Sequence, residues 1–262
     1  MNQIFVIKIG GNVIDDEKNL TAFLEKFAAI NAKKILVHGG GKIATKIGDQ
    51  LGIQSSYING RRITDEATID LVTMVYGGLV NKKIVAKLQS LNCNAIGLTG
   101  ADANIIPALK RPVEDIDYGF AGDVLLHNVG VKNLEILLAN NLTLVVAPLT
   151  HDGKGQMLNT NADTIASSLA VALSKRYDVR LIYCFEKKGV LENVEDHESV
   201  ITLITKEKYQ QLLAGKKLFD GILPKVDNAF AAINSGVKEV LIGHADDLLQ
   251  NITANTKGTL IK

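Results

Sequence analysis

Two cysteines in 262 residues, Cys93 and Cys184, are too few for a disulfide framework, and Cys184 lies in an apolar run. Both are therefore read as reduced thiols of a packed interior. Charge of one sign is missing too: 29 Lys plus Arg stand against 28 Asp plus Glu, which excludes a field that would gather nucleic acid or a membrane surface. Long apolar runs are absent, since even ILLANNLTLVVAPLT holds an Asn pair and a proline and falls short of a span. No basic and then apolar leader opens the chain; the first strand pattern begins within a few residues of Met1. Proline occurs four times, and no linker, repeat or low-complexity segment divides the chain. The expectation is a cytoplasmic globular protein whose partners are met at local sites.

With 47% hydrophobic and 22% charged residues, the chain can bury a large core. Short apolar runs bounded by glycine recur as IFVIKI, KILVHGGG, AIGLTG, LTLVVAP, VRLIYC and EVLIG. Runs apolar at every position suit strands covered on both faces. Helical spacing lies between them, as at Leu20, Phe23, Leu24, Phe27 and Ile30. Strands alternating with helices predict an α/β fold with a mainly parallel sheet, in two lobes of one unit, 1–172 and 173–262. The longest helical pattern starts with Thr64 as N-cap and meets Gly77-Gly78, which either marks a kink or close helix crossing, between subunits for instance, or ends the helix. The polar stretches 110–123 and 150–156 read as hairpin or loop insertions.

Lys8 raises the first chemical question. It sits inside an apolar strand pattern, and no Asp or Glu precedes Asp15, so its anion must come from elsewhere. Two strand patterns end in glycine, Gly10-Gly11 and Gly39-Gly40-Gly41, and such turns let backbone N–H groups approach an anion at a helix start. A Walker A loop is excluded because no Gly-Lys fits its pattern. A dinucleotide fingerprint is matched literally by Gly39-x-Gly41-x-x-Ala44, but the acidic strand end it requires is replaced by the polar loop GIQSSYINGRRITDE.

Lys225 is the second anomaly. Following Pro224, it falls in a first helical turn, where the macrodipole disfavours a cation unless an anion lies there as well. In MLNTNADTIASSLAVAL, helix capping explains one or two of Asn159, Asn161 and Asp163 but not easily all three. Asp163 is a candidate counter-charge for both lysines, and Arg62 in NGRRIT a candidate for gripping a carboxylate. The histidines are scattered without metal-ligand spacing, and His38 reads as packing or hydrogen bonding. Cations and backbone donors without a nucleophile suit phosphoryl transfer.

Taken in order, IKIGG, VHGGG, NGRRIT, LNTNADTIA, DGILPKV and KGTLI resemble the amino acid kinase family, most of all its N-acetylglutamate kinases, over nearly the whole chain. The resemblance implies an open αβα sandwich, with the acyl-glutamate on the N-terminal lobe and ATP on the C-terminal one. It implies Lys8 and Lys225 as transition-state stabilisers organised by Asp163, with Gly40, Gly41, Arg62, Asn159 and Asn161 on the amino-acid substrate. Gly10, Gly11, Glu186, Gly189, Val190, Leu218, Phe219, Asp220 and Gly221 would lie around the phosphates and nucleotide, with Mg²⁺ held mainly by the phosphates. The implied reaction is phosphorylation of the γ-carboxylate of N-acetyl-L-glutamate, with N-succinyl-L-glutamate, aspartate, carbamate or UMP as alternative acceptors and a non-catalytic sensor as the other class. An arginine-insensitive homodimer is expected. Two departures stand out: Cys184-Phe185-Glu186-Lys187-Lys188-Gly189-Val190 replaces the usual Leu-Thr-Asp-Val-x-Gly-Val, and Ala103 replaces a glycine after Asp102.

Overall fold

The computed structural model describes residues 2–193, 195–215 and 222–262. Its strands are β1 Gln3–Ile9, β2 Lys33–Val37, β3 Tyr57–Ile58, β4 Arg61–Arg62, β5 Ala95–Leu98, β6 Ala108–Lys110, β7 Gly122–Val124, β8 Thr143–Val146, β9 Leu149–His151, β10 Met157–Asn159, β11 Asp178–Phe185, β12 Leu203–Ile204, β13 Glu239–His244 and β14 Thr259–Ile261. The α-helices are α1 Gly11–Asp15, α2 Glu17–Ala28, α3 Gly41–Leu51, α4 Glu66–Val72, α5 Asn81–Ser90, α6 Val131–Ala139, α7 Ala162–Leu173, α8 Lys206–Ala214, α9 Leu223–Asn234 and α10 Leu248–Asn251.

All six apolar runs become strands of one eight-stranded sheet, ordered β12-β14-β13-β11-β1-β2-β8-β5. Every neighbouring pair is parallel except β13 with β14. Alternation along a strand divides the core in two. Ile4 and Val6 of β1 pack with Leu169 of α7 and Val226 of α9 on one face. Phe5, Ile7 and Ile9 pack with Phe23 and Phe27 of α2 and with Ile84 and Leu88 of α5 on the other. Both cysteines are buried and free, and no helix among the described residues is long and apolar enough to cross a membrane. The stretches 110–123 and 150–156 span the connections, with adjoining strand residues, of two antiparallel hairpins, β6–β7 and β9–β10.

Two local readings are refined. The cap of α4 is Asp65 rather than Thr64: Asp65 Oδ1 accepts the Thr68 N–H at 2.8 Å. Thr64 is occupied elsewhere, since its backbone pairs with Tyr118 and Phe120. Gly77-Gly78 neither ends a helix nor interrupts its ladder; residues 73–80 form a π-helical segment joining α4 to α5. A Cβ on Gly77 would lie 3.3 Å from Leu149 Cδ1, so the close approach is within the chain, whereas Gly78 faces open space.

Ala103 adopts φ 50°, a left-handed conformation that costs a residue with a Cβ and costs glycine nothing. Ala103→Gly is therefore expected to stabilise the fold by about 0.5–1 kcal/mol, the relieved strain less the added unfolded-state entropy. Urea titration would read this as a higher midpoint at unchanged slope; a lower midpoint would mean the alanine side chain packs favourably.

Candidate active site

Lys8 follows Ile4 and Val6 in the two-residue period of β1, so it projects toward the face covered by α7 and α9. In register it sits opposite Tyr183 of β11, and Phe185 is two residues further on the same face. Lys8 is 9% exposed. Its Nζ lies 2.7 Å from Oδ1 of Asp163, in the first turn of α7, a close ion pair without the alignment of a hydrogen bond. Lys225 is in the first turn of α9, next to Pro224, as its sequence position requires. Its Nζ is 3.7 Å from the centre of the Phe185 ring, and that of Lys8 is 5.2 Å from the same ring. Burial pushes the Lys225 ammonium below its ordinary range, Asp163 pulls it back up, and Lys8 adds a smaller downward push. Two cations thus converge on one carboxylate at the starts of two helices, and a small cavity lined by Asp163, Tyr183, Phe185, Lys225 and Asn228 lies there.

A larger cavity of about 430 Å³ is lined by Gly39, Gly40, Gly41, Arg62, Tyr76 and Asn159, among others. It reaches the start of α7 through Asn161, Ala162 and Thr164, which flank Asp163 in the chain. Arg62 is 7% exposed, and its guanidinium is fixed before any ligand arrives. It donates to the Gly41 carbonyl at 2.9 Å, to Thr45 Oγ1 at 3.0 Å and to Ser55 Oγ, and it stacks 4.8 Å from the Tyr57 ring centre. Asn159 donates to Thr64 Oγ1 at 3.0 Å. Asn161 caps α7, its Oδ1 accepting the N–H groups of Asp163 at 2.7 Å and Thr164 at 3.3 Å. Capping therefore accounts for Asn161 and leaves Asn159 and Asp163 to other partners.

The glycine turn is set from below by His38, which is fully buried. Desolvation pushes its imidazole down to about 4 from the ordinary 6.5. The folded state holds the ring neutral while the unfolded chain takes up a proton near 6.5, so stability present above that pH is lost as pH falls from 6.5 toward 4. The loss is about 3 kcal/mol at full extent. His38→Asn should flatten this part of a stability-against-pH curve; an unchanged slope would assign it to other groups.

Sequence reasoning missed Tyr76, which stands so close to Gly40 that a Cβ there, at φ 149°, would come within 3.0 Å of Cδ1. It also missed Arg111, which forms a two-pronged pair with Asp123 across the β6–β7 hairpin at the cavity rim. Neither residue's role is marked locally, the adjacent Gly77-Gly78 notwithstanding: both reach the site through long-range packing.

A family model described as the amino acid kinase family matches residues 3–244. The chain belongs to the amino acid kinase family. It is 56% identical to the acetylglutamate kinase of Cytophaga hutchinsonii, covering 99% of this chain and 98% of that one. It is 53% identical to the acetylglutamate kinase of Bacteroides thetaiotaomicron, again over 99% of this chain and 98% of the relative. Among solved structures, N-acetylglutamate synthase from Neisseria gonorrhoeae, complexed with coenzyme A and N-acetyl-glutamate, superposes with a TM-score of 0.82 at 21% identity. That match covers 99% of this chain and 59% of the synthase, and at this identity it speaks for the fold alone.

In this amino acid kinase the residues expected around the nucleotide fall in several places. Gly10 precedes α1 in an extended conformation, and Gly11 begins it. Glu186 is exposed at the end of β11 and acts electrostatically on Lys225. Gly189 and Val190 are packed inward: the Val190 N–H donates to Thr259 Oγ1 at 2.8 Å, and a Cβ on Gly189 would meet that oxygen at 2.6 Å. Leu218, Phe219, Asp220 and Gly221 lie outside the described residues.

Proposed function

We propose that this amino acid kinase transfers the γ-phosphoryl group of ATP to the γ-carboxylate of N-acetyl-L-glutamate, yielding ADP and the acyl phosphate used in arginine biosynthesis. The observation that carries the reading is the convergence of Lys8 and Lys225 on Asp163 beside a cavity floored by glycines and walled by Arg62. The 56% and 53% identical relatives, both acetylglutamate kinases, support the choice of acceptor.

A carboxylate nucleophile has an ordinary pKa near 4.3 and is already ionised at neutral pH, so no general base is needed. The obstacle is its repulsion from the triphosphate. A cation about 4 Å away at an effective dielectric of about 20 contributes roughly 4 kcal/mol, so two lysines can offset much of it. Asp163 keeps both ammonium groups in place at rest and is displaced as their partner when the phosphoryl group passes between them. The site's donors are cations and backbone amides, which fit phosphates, and among the described residues no cluster of His, Cys, Asp or Glu could hold a metal ion. Mg²⁺ carried on the phosphates would supply further charge neutralisation. Residues 1–172 form the lobe for the acyl-glutamate and 173–262 the lobe for ATP. The exposed Met74 and Leu79, beside Gly78 on the π-helical segment, support a homodimer through that face.

A second reading keeps the reaction and changes the acyl group. Arg61 lines the same cavity as Arg62, while Arg111 there is balanced by Asp123, and the one further cation favours an acceptor with one more carboxylate, N-succinyl-L-glutamate. Offering N-acetyl-glutamate, N-succinyl-glutamate, aspartate, carbamate and UMP in parallel and following ADP release tests both. Turnover confined to an N-acyl-glutamate is expected. Preference for any of the other three, or ATP binding without turnover, would overturn the proposal.

A further inference from the structure

The polar chain that runs from the exposed Lys82 to the buried Asn81 and His38 beneath the glycine turn has only one consistent direction. Lys82 Nζ can only donate, and it reaches Asn81 Oδ1 at 3.2 Å and the Gly97 carbonyl at 2.9 Å. The Asn81 amide nitrogen therefore points the other way, donating to the Val145 carbonyl at 2.9 Å and meeting His38 Nε2 at 3.1 Å. Nε2 must then be the bare, accepting nitrogen. The proton sits on Nδ1, which is 2.7 Å from the Gly39 carbonyl, a group that can only accept. Every link is thus fixed by a partner whose role is not adjustable.

Two features of the chain fit this arrangement. The π-helical segment ends at Val80, and at this junction the consecutive Val80 and Asn81 are both buried, at 3% and 1% exposure. A π-turn shifts the helical phase by one residue, which lets two consecutive side chains face the sheet. Gly97, inside β5, is the second: a Cβ there would come within 1.8 Å of Asn81 Oδ1, so only glycine admits the amide. The same π-helical segment supplies Tyr76, which stands over Gly40 from the other side.

We propose that His38 is a positioning residue which, anchored by Asn81 at Nε2, uses its Nδ1–H to hold the Gly39 carbonyl toward the interior so that the N–H of Gly40 faces the substrate cavity as a fixed donor. The Gly39 carbonyl and the Gly40 N–H belong to one trans peptide and point in opposite directions, so anchoring one aims the other. No side chain caps α3 at Gly40, and both glycines line the cavity, where such a donor meets the carboxylate or the phosphoryl oxygens. The role at the substrate rests on the phosphoryl-transfer reading; the tautomer does not.

Two measurements on the full chain test it. Nitrogen-15 NMR of histidine-labelled protein at neutral pH should show His38 with Nδ1 protonated and Nε2 bare, the tautomer that both Asn81 and the Gly39 carbonyl require. The opposite tautomer would overturn the proposal whether or not the variants below fold. For kinetics, His38→Asn keeps an N–H near the Nδ1 position, whereas His38→Leu keeps only bulk. The leucine variant should lose kcat by ~10²-fold with KM for the acceptor changed only a few fold, and the asparagine variant should recover most of that loss. Equal losses in the two variants would reduce His38 to packing. A wild-type chain inert toward N-acyl-glutamates would remove the proposed reaction while the NMR result still decided the tautomer.

Discussion

Lys8→Ala is expected to lower kcat by at least ~10²-fold while changing KM for ATP and for the acyl-glutamate much less, the pattern of a donor used chiefly in the transition state. A hundredfold loss is about 2.7 kcal/mol of transition-state stabilisation, which one well-placed cation supplies in a site of reduced dielectric. The ground state needs Lys8 less because Asp163 already balances it at 2.7 Å. Removing the ammonium leaves Asp163 facing Lys225, whose own burial disfavours its charge. The site would thus remain folded and able to bind nucleotide. An unchanged kcat would take Lys8 out of the chemistry and reduce the Lys8–Asp163 pair to a structural contact.

Arg62→Ala should act on the other kinetic constant. Here the loss is one of binding: KM for the acyl-glutamate is expected to rise about 10- to 10²-fold, with kcat less affected, since a charge-assisted bond contributes ~1.5–3 kcal/mol. The guanidinium also holds the Gly41 carbonyl, Thr45 and Ser55, so the variant should lose about 1–3 kcal/mol of stability as well. Arg62→Lys should restore little, because a single ammonium cannot span Gly41 and Ser55 while stacking on Tyr57. Steady-state kinetics with denaturant titration of both variants checks this; full rescue by lysine would mean that only charge is needed at this position.

The two lysines were legible in the sequence because each violates a local rule. Lys8 is a charge inside an apolar strand, and Lys225 is a cation in a first helical turn, and both are where those rules place them. The sheet was legible for a similar reason: strands buried on both faces show as unbroken apolar runs, and all six such runs became its strands. Tyr76, Arg111 and Asn81 were not: the nearby Gly77-Gly78 pair reports on backbone and does not say which side chains reach the site. Gly77-Gly78 shows the limit well. A glycine pair reports that backbone approaches something, but a kink, a π-turn and a helix end share that local signature, and only the folded backbone, with Leu149 and Thr99 brought against Gly77, separates them. Thr64 and Asp65 are both acceptable caps in isolation, and the bridge to Tyr118 and Phe120 is what assigns the role to Asp65. The family resemblance reached further than local patterning, because six ordered motifs carry tertiary information that no single window holds.

The most direct test of the central claim is to look for the product itself. Incubated with ATP, Mg²⁺ and N-acetyl-L-glutamate or N-succinyl-L-glutamate in the presence of hydroxylamine, the protein should form the γ-hydroxamate in step with ADP, as an acyl phosphate trapped by a nucleophile requires. ADP released without hydroxamate would mean that the phosphoryl group goes to water or to another acceptor, and the assignment of Lys8, Lys225 and Asp163 to carboxylate phosphorylation would be wrong.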